Sequence, residues 1–160
     1  MKPRFIVDLN VGKLAKWLRI LGYDTLFFAS GDDSDLLRIA FRENRIILTK
    51  DTHILERRVV TTGRLRAILV QDDYVSDQLF QVVRELSLDY QGREFSLCIE
   101  CNEPLIQRSR EDVQSRVPTY VFQSQDHFME CSHCHRLYWQ GTHWQRMRDE
   151  LLKLRQGVRL

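Results

Sequence analysis

Two aspartates follow strand-like segments, at positions where a parallel sheet would hold reactive groups. Asp8 comes directly after the apolar residues 5–7, and Asp51 follows the apolar residues 46–48 after a Thr-Lys pair. In parallel α/β sheets, ligands bind beyond the carboxyl ends of the strands. We therefore expect these two carboxylates to lie on one rim of a sheet.

Further acids stand near the same predicted rim. Asp33 and Asp35 lie where the chain enters a predicted helix, and acids there also stabilise a helix N-terminus, so capping is a competing explanation. Asp72, Asp73 and Asp77 follow the last strand-like segment. Converging carboxylates suit hard divalent ions such as Mg²⁺ and Mn²⁺, and two such ions can clamp a phosphodiester during hydrolysis. Together the acids predict metal-dependent chemistry on a phosphodiester.

Three cations follow Asp8 at helical spacing. Lys13, Lys16 and Arg19 stand at i, i+3 and i+6, which places them near one another on the first predicted helix. They could bind the phosphates of a substrate close to the acids. The spacing is also typical of the solvated face of an amphipathic helix, and spacing alone favours that interpretation.

The four cysteines of the chain form two Cys-x-x-Cys motifs, Cys98 with Cys101 and Cys131 with Cys134. Two such turns can supply four thiolates to one zinc ion at about 2.3 Å, in a closed tetrahedral site without a place for water. Disulfides or free thiols are the alternatives. The pattern favours zinc with a structural role, so the chemistry is expected in the first half of the chain.

Composition sets wider limits on the class of protein. The 160 residues are 43% hydrophobic, enough for a proper core, and the net charge of +2 is too balanced to indicate nucleic acid by itself. No apolar run approaches the roughly 20 residues that span a bilayer, and the start of the sequence does not resemble a signal peptide. We expect a soluble, cytoplasmic protein that does not bind a membrane.

The first ninety residues alternate strand-like and helical patterns, which predicts an α/β fold. Strands are expected at 5–7, 25–28, 46–48 and 67–70. Between them lie helical patterns, with Gly22 and Asn44 as helix stops and Ser76 as the N-cap of a later helix. This order predicts a parallel sheet with helices on both faces.

A polar segment near residue 92 is predicted to separate two domains, residues 1–92 and residues 93–160. The second would hold the zinc ribbon and a C-terminal helix with Thr142 as its N-cap. Four apolar residues of that helix fall on one stripe, which is expected to pack against other parts of the protein: Trp144, Met147, Leu151 and Leu154.

Taken together, the motifs resemble the C-terminal RNase domain of the Mut-seven family, a PIN-like nuclease fold followed by a zinc ribbon. The resemblance spans nearly the whole chain. It rests on FIVD at 5–8, GKLAKWLRILGYDT at 12–25, NRIILTKD at 44–51, CIECN at 98–102 and RLYWQGTH at 136–143.

The resemblance implies cleavage of single-stranded RNA that depends on Mg²⁺ or Mn²⁺, with zinc held by the ribbon. Asp8 and Asp51 match the strand-end acids of the family. For the acid at the helix entry, Asp33 fits slightly better than Asp35. The resemblance also gives Thr49 a supporting hydrogen bond at the site.

A last acid of the site could be Asp73 or Asp77. A different class of function is also open, a non-catalytic adaptor that binds RNA or protein through the ribbon. Tyr138, Trp139 and Trp144 would then supply stacking surfaces, although a small core around the zinc explains them more simply. The sequence leaves open the RNA target, internal or terminal cleavage, a homodimer and an inhibitory protein partner.

Overall fold

The computed structural model describes residues 2–89 and 93–156, without the side chains of residues 143, 144, 147, 151, 154 and 155. The chain divides into two compact units, Met1–Asn102 and Glu103–Leu160. The polar break predicted near residue 92 and the predicted apolar stripe of the last helix lie outside the described residues. In the part of the chain that is described, no helix is both long enough and apolar enough to cross a membrane.

The first unit alternates strands and helices, as the sequence predicted. Its strands are β1 (Arg4–Asp8), β2 (Thr25–Phe28), β3 (Arg45–Thr49) and β4 (Ala67–Leu69). A 3₁₀ turn (Leu9–Val11) follows β1. The helices are α1 (Gly12–Ile20), α2 (Asp33–Glu43), the short α3 (Thr52–Leu55) and α4 (Arg58–Thr61), and α5 (Val75–Leu86).

The four strands form one parallel sheet in the order β2-β1-β3-β4. The chain leaves β1 to form β2 on one side and returns to form β3 on the other. In open α/β sheets, ligands bind in the crevice at such a change of direction. Since all strands run the same way, their carboxyl ends meet at one edge, which we call the carboxyl edge: Asp8, Phe28, Thr49 and Leu69.

Strand β1 lies between β2 and β3 and is buried on both faces. Phe5, Ile6 and Val7 are all 0% exposed, so helices cover the strand on both faces. On one face, Ile6 and its neighbour Ile47 join a core cluster with apolar residues of α2 and α3, including Leu36, Leu37, Ala40 and Ile54. Helix α1 packs beside α5. The α/β class predicted from the sequence is thereby confirmed.

Helix ends agree with the sequence signals at two positions and differ at two. The chain turns at Gly22 with φ of 84°, and Asn44 closes α2 in the left-handed region with φ of 53°. Helix α5 has Tyr74 rather than Ser76 as its N-cap, and the last helix begins at Thr142 rather than after it. Helix starts are weakly defined in a sequence pattern, because the first four backbone N–H groups have no acceptor within the helix and several neighbouring residues can cap them.

The second unit contains a small antiparallel sheet in the order β5-β6-β7. Its elements are β5 (Leu105–Arg108), α6 (Arg110–Val113), α7 (Thr119–Ser124), β6 (Phe128–Cys131), β7 (Leu137–Tyr138) and α8 (Thr142–Arg155). Phe128 forms a core with Val113 and Val121, and the Trp139 ring packs on it with centroids 6.4 Å apart. Trp139 is therefore half-buried against this small core, which is the simpler of its two explanations.

Candidate active site and metal centre

Asp8 ends the central strand β1 at the carboxyl edge. Its Oδ1 accepts a hydrogen bond from the Asn10 backbone N–H at 3.2 Å, so the side chain caps the following 3₁₀ turn. Its Oδ2 accepts a short hydrogen bond from the Thr49 hydroxyl. The carboxylate is thus oriented by two donors while the residue itself remains half-buried.

Thr49 connects the two acids that the sequence placed at this rim. It ends β3 beside Asp8, is 0% exposed, and its Oγ1 also accepts a hydrogen bond from the Asp51 backbone N–H at 3.0 Å. Asp51 then caps α3, since its Oδ1 accepts from the His53 N–H at 2.9 Å. One buried hydroxyl therefore positions the Asp8 side chain and the backbone that carries Asp51.

The three acids at the start of α2 have different local contacts. Asp32 is the N-cap, and its Oδ1 accepts from the Asp35 backbone N–H at 2.8 Å. Asp35 forms an ion pair with Arg38 at 2.8 Å. Asp33 has no basic side chain within 4 Å among the described residues. Capping therefore accounts for Asp32 and ion pairing for Asp35, which leaves Asp33 as the acid without a local partner.

The later acids lie where β4 leads into α5. Asp73 is 89% exposed and forms a short ion pair with Lys50, the residue between Thr49 and Asp51. Hydrogen bonding and the charge of Lys50 hold the pKa of the Asp73 carboxyl below its ordinary value. Asp77 lies in the first turn of α5, where a negative charge favours the helix dipole.

Among the described residues of the first unit, some acids are paired with cations, whereas the candidate ligands and several other acids, among them Asp32, Asp72 and Asp77, are not. The chain has 24 lysines and arginines, and Asp24, Asp35, Glu43, Asp73 and Glu100 each contact one of them within 4 Å. Within residues 2–89 and 93–156, Asp8, Asp33 and Asp51 contact none. Oxygen ligands without a competing cation suit Mg²⁺ or Mn²⁺, so the donor types fit such ions. These acids nevertheless do not form a three-ligand group as tight as the cysteines.

The predicted cations on α1 differ in how far their charges are available. Lys13 is exposed and has no acidic partner within 4 Å in the described part of the chain. Lys16 is exposed but paired with Glu100 at 3.1 Å. Arg19 is only 7% exposed, and its guanidinium donates to the backbone carbonyls of Thr25, Ile99 and Glu100. The geometry of Arg19 is that of a structural residue, and the two lysines remain as surface cations.

A groove with a volume of about 870 Å³ is lined by residues of the 3₁₀ turn after β1, of α1, of β2 and of the start of α5. We call it the α1–α5 groove; it is lined among others by Leu9, Lys13, Lys16, Phe27, Tyr74 and Gln78. Leu9, Phe27 and Tyr74 are 65%, 43% and 76% exposed. The sequence pattern did not single out these three residues, because an apolar residue beside a strand or helix normally indicates core.

The four cysteines form a group that could hold a metal ion such as zinc. Their Sγ atoms lie within 4.8 Å of one another. A tetrahedral zinc site with bonds of about 2.3 Å places its sulfurs about 3.8 Å apart, so this spacing suits one ion. The cluster is the one group of three or more potential ligands found in the described residues.

Each Cys-x-x-Cys motif, which we call a knuckle (the first at 98–101 and the second at 131–134), is closed by the same kind of backbone turn. The N–H of Asn102 donates to the carbonyl of Cys98, and the N–H of His135 donates to that of Cys131, each at 2.9 Å. Asn102 and His135 both adopt a positive φ, 66° and 61°. Asparagine favours this left-handed region, which is the local signal in the sequence for the first turn.

Long-range hydrogen bonds anchor the first knuckle within its unit. Besides Arg19, Asn102 contributes two, because its Oδ1 accepts from the Thr25 N–H at 2.9 Å and its Nδ2 donates to Asp24 at 2.7 Å. Burial alone would raise the pKa of the Asp24 carboxyl, but hydrogen bonds from Arg45 and Asn102 lower it below its ordinary value. Arg19 has a lowered pKa because it is buried, although the nearby Cys98 opposes that effect.

The second knuckle is anchored in a similar way within the second unit. Arg116 donates to the His135 carbonyl at 2.8 Å and pairs with Glu130, which also pairs with Arg108. Hydrogen bonds from Arg116 and Arg108 hold the pKa of the Glu130 carboxyl below its ordinary value. The sequence did not reveal these anchors, because the partners are up to 22 residues apart.

Comparison with known proteins identifies the family of the chain. No curated protein and no solved structure matches the chain. The family described as Mut7-C RNAse domain matches residues 3–151, nearly the whole of the 160 residues, and confirms the resemblance seen in the sequence. This membership points to a nuclease role. The chain therefore belongs to the Mut7-C RNase domain family.

Proposed function

We propose that this protein is a metal-dependent ribonuclease that hydrolyses single-stranded RNA at the carboxyl edge of its sheet. The observation that supports the proposal is the bridge through Thr49, which links the Asp8 carboxylate to the Asp51 backbone at the carboxyl edge, in a chain of an RNase domain family. A buried hydroxyl that orients one carboxylate and the backbone of another is expected at a site that must be rigid.

Asp8 and Asp51 would bind Mg²⁺ or Mn²⁺ through carboxylate oxygens. Asp33 is favoured over Asp35 as a third ligand, because the Asp35 carboxylate is already held by Arg38 at 2.8 Å. When bound, such ions supply an activated water and stabilise the leaving oxygen. The protein contributes by holding these acids in fixed positions, with Thr49 as a support that does not itself bind substrate.

Other groups of the site would seat the RNA and keep the fold intact. Lys13 and Lys16 are exposed on the helix that follows Asp8, so they would bind phosphates. Arg19 would have a structural role, because it donates to the carbonyls of Ile99 and Glu100 in the first knuckle. The four thiolates would hold a structural zinc, since they fill all four positions of a tetrahedral site.

The proposal is tested with an end-labelled single-stranded RNA, purified protein, and Mn²⁺ present or absent. Asp8→Asn and Asp51→Asn should each reduce cleavage on the order of 100-fold or more, the scale for losing a group that stabilises charge at a reacting centre. Asp33→Asn should also reduce it strongly, while Asp35→Asn serves as the matched control. Binding of Mn²⁺, followed by electron paramagnetic resonance, should weaken in the first three variants.

Cleavage that survives both Asp8→Asn and Asp51→Asn would refute this site. RNA binding without cleavage by the unchanged protein would instead favour the adaptor function. A greater loss of cleavage in Asp35→Asn than in Asp33→Asn would assign the third ligand to Asp35 instead of Asp33.

A further inference from the structure

The α1–α5 groove combines exposed apolar side chains with Lys13 and Lys16, and its lining also contains the acids Asp73 and Glu100. We infer that it is the binding track for the RNA strand, with Phe27 and Tyr74 as platforms on which unpaired bases stack. This inference rests on the proposed ribonuclease function, because it places the strand in a groove lined by Leu9, the residue directly after Asp8. It adds two residues whose role is to hold bases rather than phosphates.

One side of the Phe27 ring packs against the backbone of Gly12, where no side chain intervenes. A Cβ atom at Gly12 would lie 2.8 Å from Cε2 of the Phe27 ring, so the ring lies directly on the backbone where α1 begins. The other parts of the ring remain open, since the residue is 43% exposed. A ring fixed on one side and open on the other loses little freedom when a base stacks on it.

Tyr74 supplies a second aromatic side chain at the other wall of the groove. It is the N-cap of α5 and makes no capping hydrogen bond through its side chain. Its 76% exposure is the largest among the exposed large hydrophobic residues of the described chain. A large aromatic side chain so open to water has no role in the core, and beside a charged groove it suits contact with a nucleobase.

Charge and position favour single-stranded RNA as the occupant. Lys13 lines the groove without an acidic partner within 4 Å among the described residues and would attract phosphates, whereas Lys16 would first have to leave Glu100. Leu9, also in the lining, is the residue directly after Asp8. Stacking on a protein side chain needs bases that are not already stacked in a duplex. Basic groups interleaved with aromatic rings are the usual design for binding one strand without a strong sequence preference.

The test measures binding of a short fluorescein-labelled RNA by anisotropy, without added Mg²⁺ or Mn²⁺ so that the RNA stays intact. Tyr74→Ala should weaken binding by about 5-fold to about 150-fold, the range for loss of one stacked base. Tyr74→Phe should stay within about twofold, because stacking needs the ring and not the hydroxyl. Tyr120, 71% exposed on α7, provides the matched control through Tyr120→Ala.

An RNA with abasic positions separates stacking from general effects on the protein. On that strand, Tyr74→Ala should change affinity by less than about twofold, because there are no bases for the ring to lose. Gly12→Ala should weaken binding to the normal strand by displacing the Phe27 ring, although the backbone φ of −59° accepts alanine. Thermal unfolding verifies that each variant is folded.

Three results would overturn the inference. They are unchanged affinity in both Tyr74→Ala and Phe27→Leu, an equal loss on the abasic strand, and an equal loss in Tyr120→Ala. The cleavage assay keeps the two proposals separate. Cleavage by the unchanged protein with no effect of either aromatic substitution refutes the groove alone, whereas ring-dependent binding without cleavage refutes the hydrolysis alone.

Discussion

Replacing Thr49 by valine tests whether the buried hydroxyl supports the site. Valine has nearly the same shape, so the substitution removes the hydroxyl without opening a cavity. Two interactions are lost, the hydrogen bond to the Asp8 carboxylate and the acceptor for the Asp51 N–H. Any change therefore reports on the connection between the two acids.

The expected loss follows from these two contacts. A hydrogen bond to a charged group contributes about 1.5–3 kcal/mol, and the half-buried Asp51 N–H can recover part of its bond from water. The added methyl group offsets up to about 0.8 kcal/mol. The free energy of unfolding should thus fall by about 1–3 kcal/mol, which still leaves an ordinary domain folded.

The effect on RNA cleavage should exceed the effect on folding. A displacement of reacting groups by about 1 Å costs on the order of 100-fold in rate, so kcat should drop by about 10- to 100-fold with little change in KM. Urea unfolding gives the stability, and initial rates with Mn²⁺ give the activity. Thr49→Ser, which keeps the hydroxyl, is the control and should retain most of the rate.

Thr49→Val with the rate and stability of the unchanged protein would refute the role of the bridge. A rate that falls as far in Thr49→Ser as in Thr49→Val would also contradict the reasoning, because serine keeps the hydroxyl that is said to support the site.

Two further predictions concern the acid sensitivity of the fold and the cysteine cluster. The pKa of Asp24 is lower in the folded protein than in the unfolded chain, so its pairing stabilises the fold above the unfolded value of about 3.9 and is lost as pH falls through the folded value. Asp24→Asn should therefore lower stability at pH 7 but not at the acid limit, and urea unfolding across that range measures it; equal losses at both limits would contradict the reasoning. Cys131→Ser should reduce zinc from about one ion per chain to well below one by elemental analysis and lower the Tm, because binding to a structural site contributes folding energy. An unchanged protein purified with well under one zinc would contradict the four-thiolate site.

The α/β class followed from the sequence because local signals agreed with the final structure. Residues 5–7 are apolar without interruption, which indicates a strand covered on both faces, and they are fully buried. Asn44 ends α2 in the left-handed region, as its residue type suggests. The sequence favoured Ser76 as the N-cap of α5, whereas the structure has Tyr74 at that position. Local propensity is too weak to decide this helix start.

The candidate site was predictable in its main acids but not in its support. Strand ends placed Asp8 and Asp51 at one edge, since parallel strands share a direction. The connection through Thr49 depends on β1 and β3 being neighbours, 41 residues apart in the chain. The resemblance suggested a hydrogen bond from Thr49, and the structure identifies its partners.

What the sequence determined by itself was the set of candidate groups for chemistry, namely the acids that follow the strands and the two cysteine pairs. Residue type and short spacing are sufficient for those groups, because metal ligands and strand ends have local signatures. Only the tertiary structure decided which side chains are free to act. It buried Arg19 under the first knuckle and left Tyr74 open beside the groove. Exposure depends on contacts between distant segments, and no local pattern contains that information.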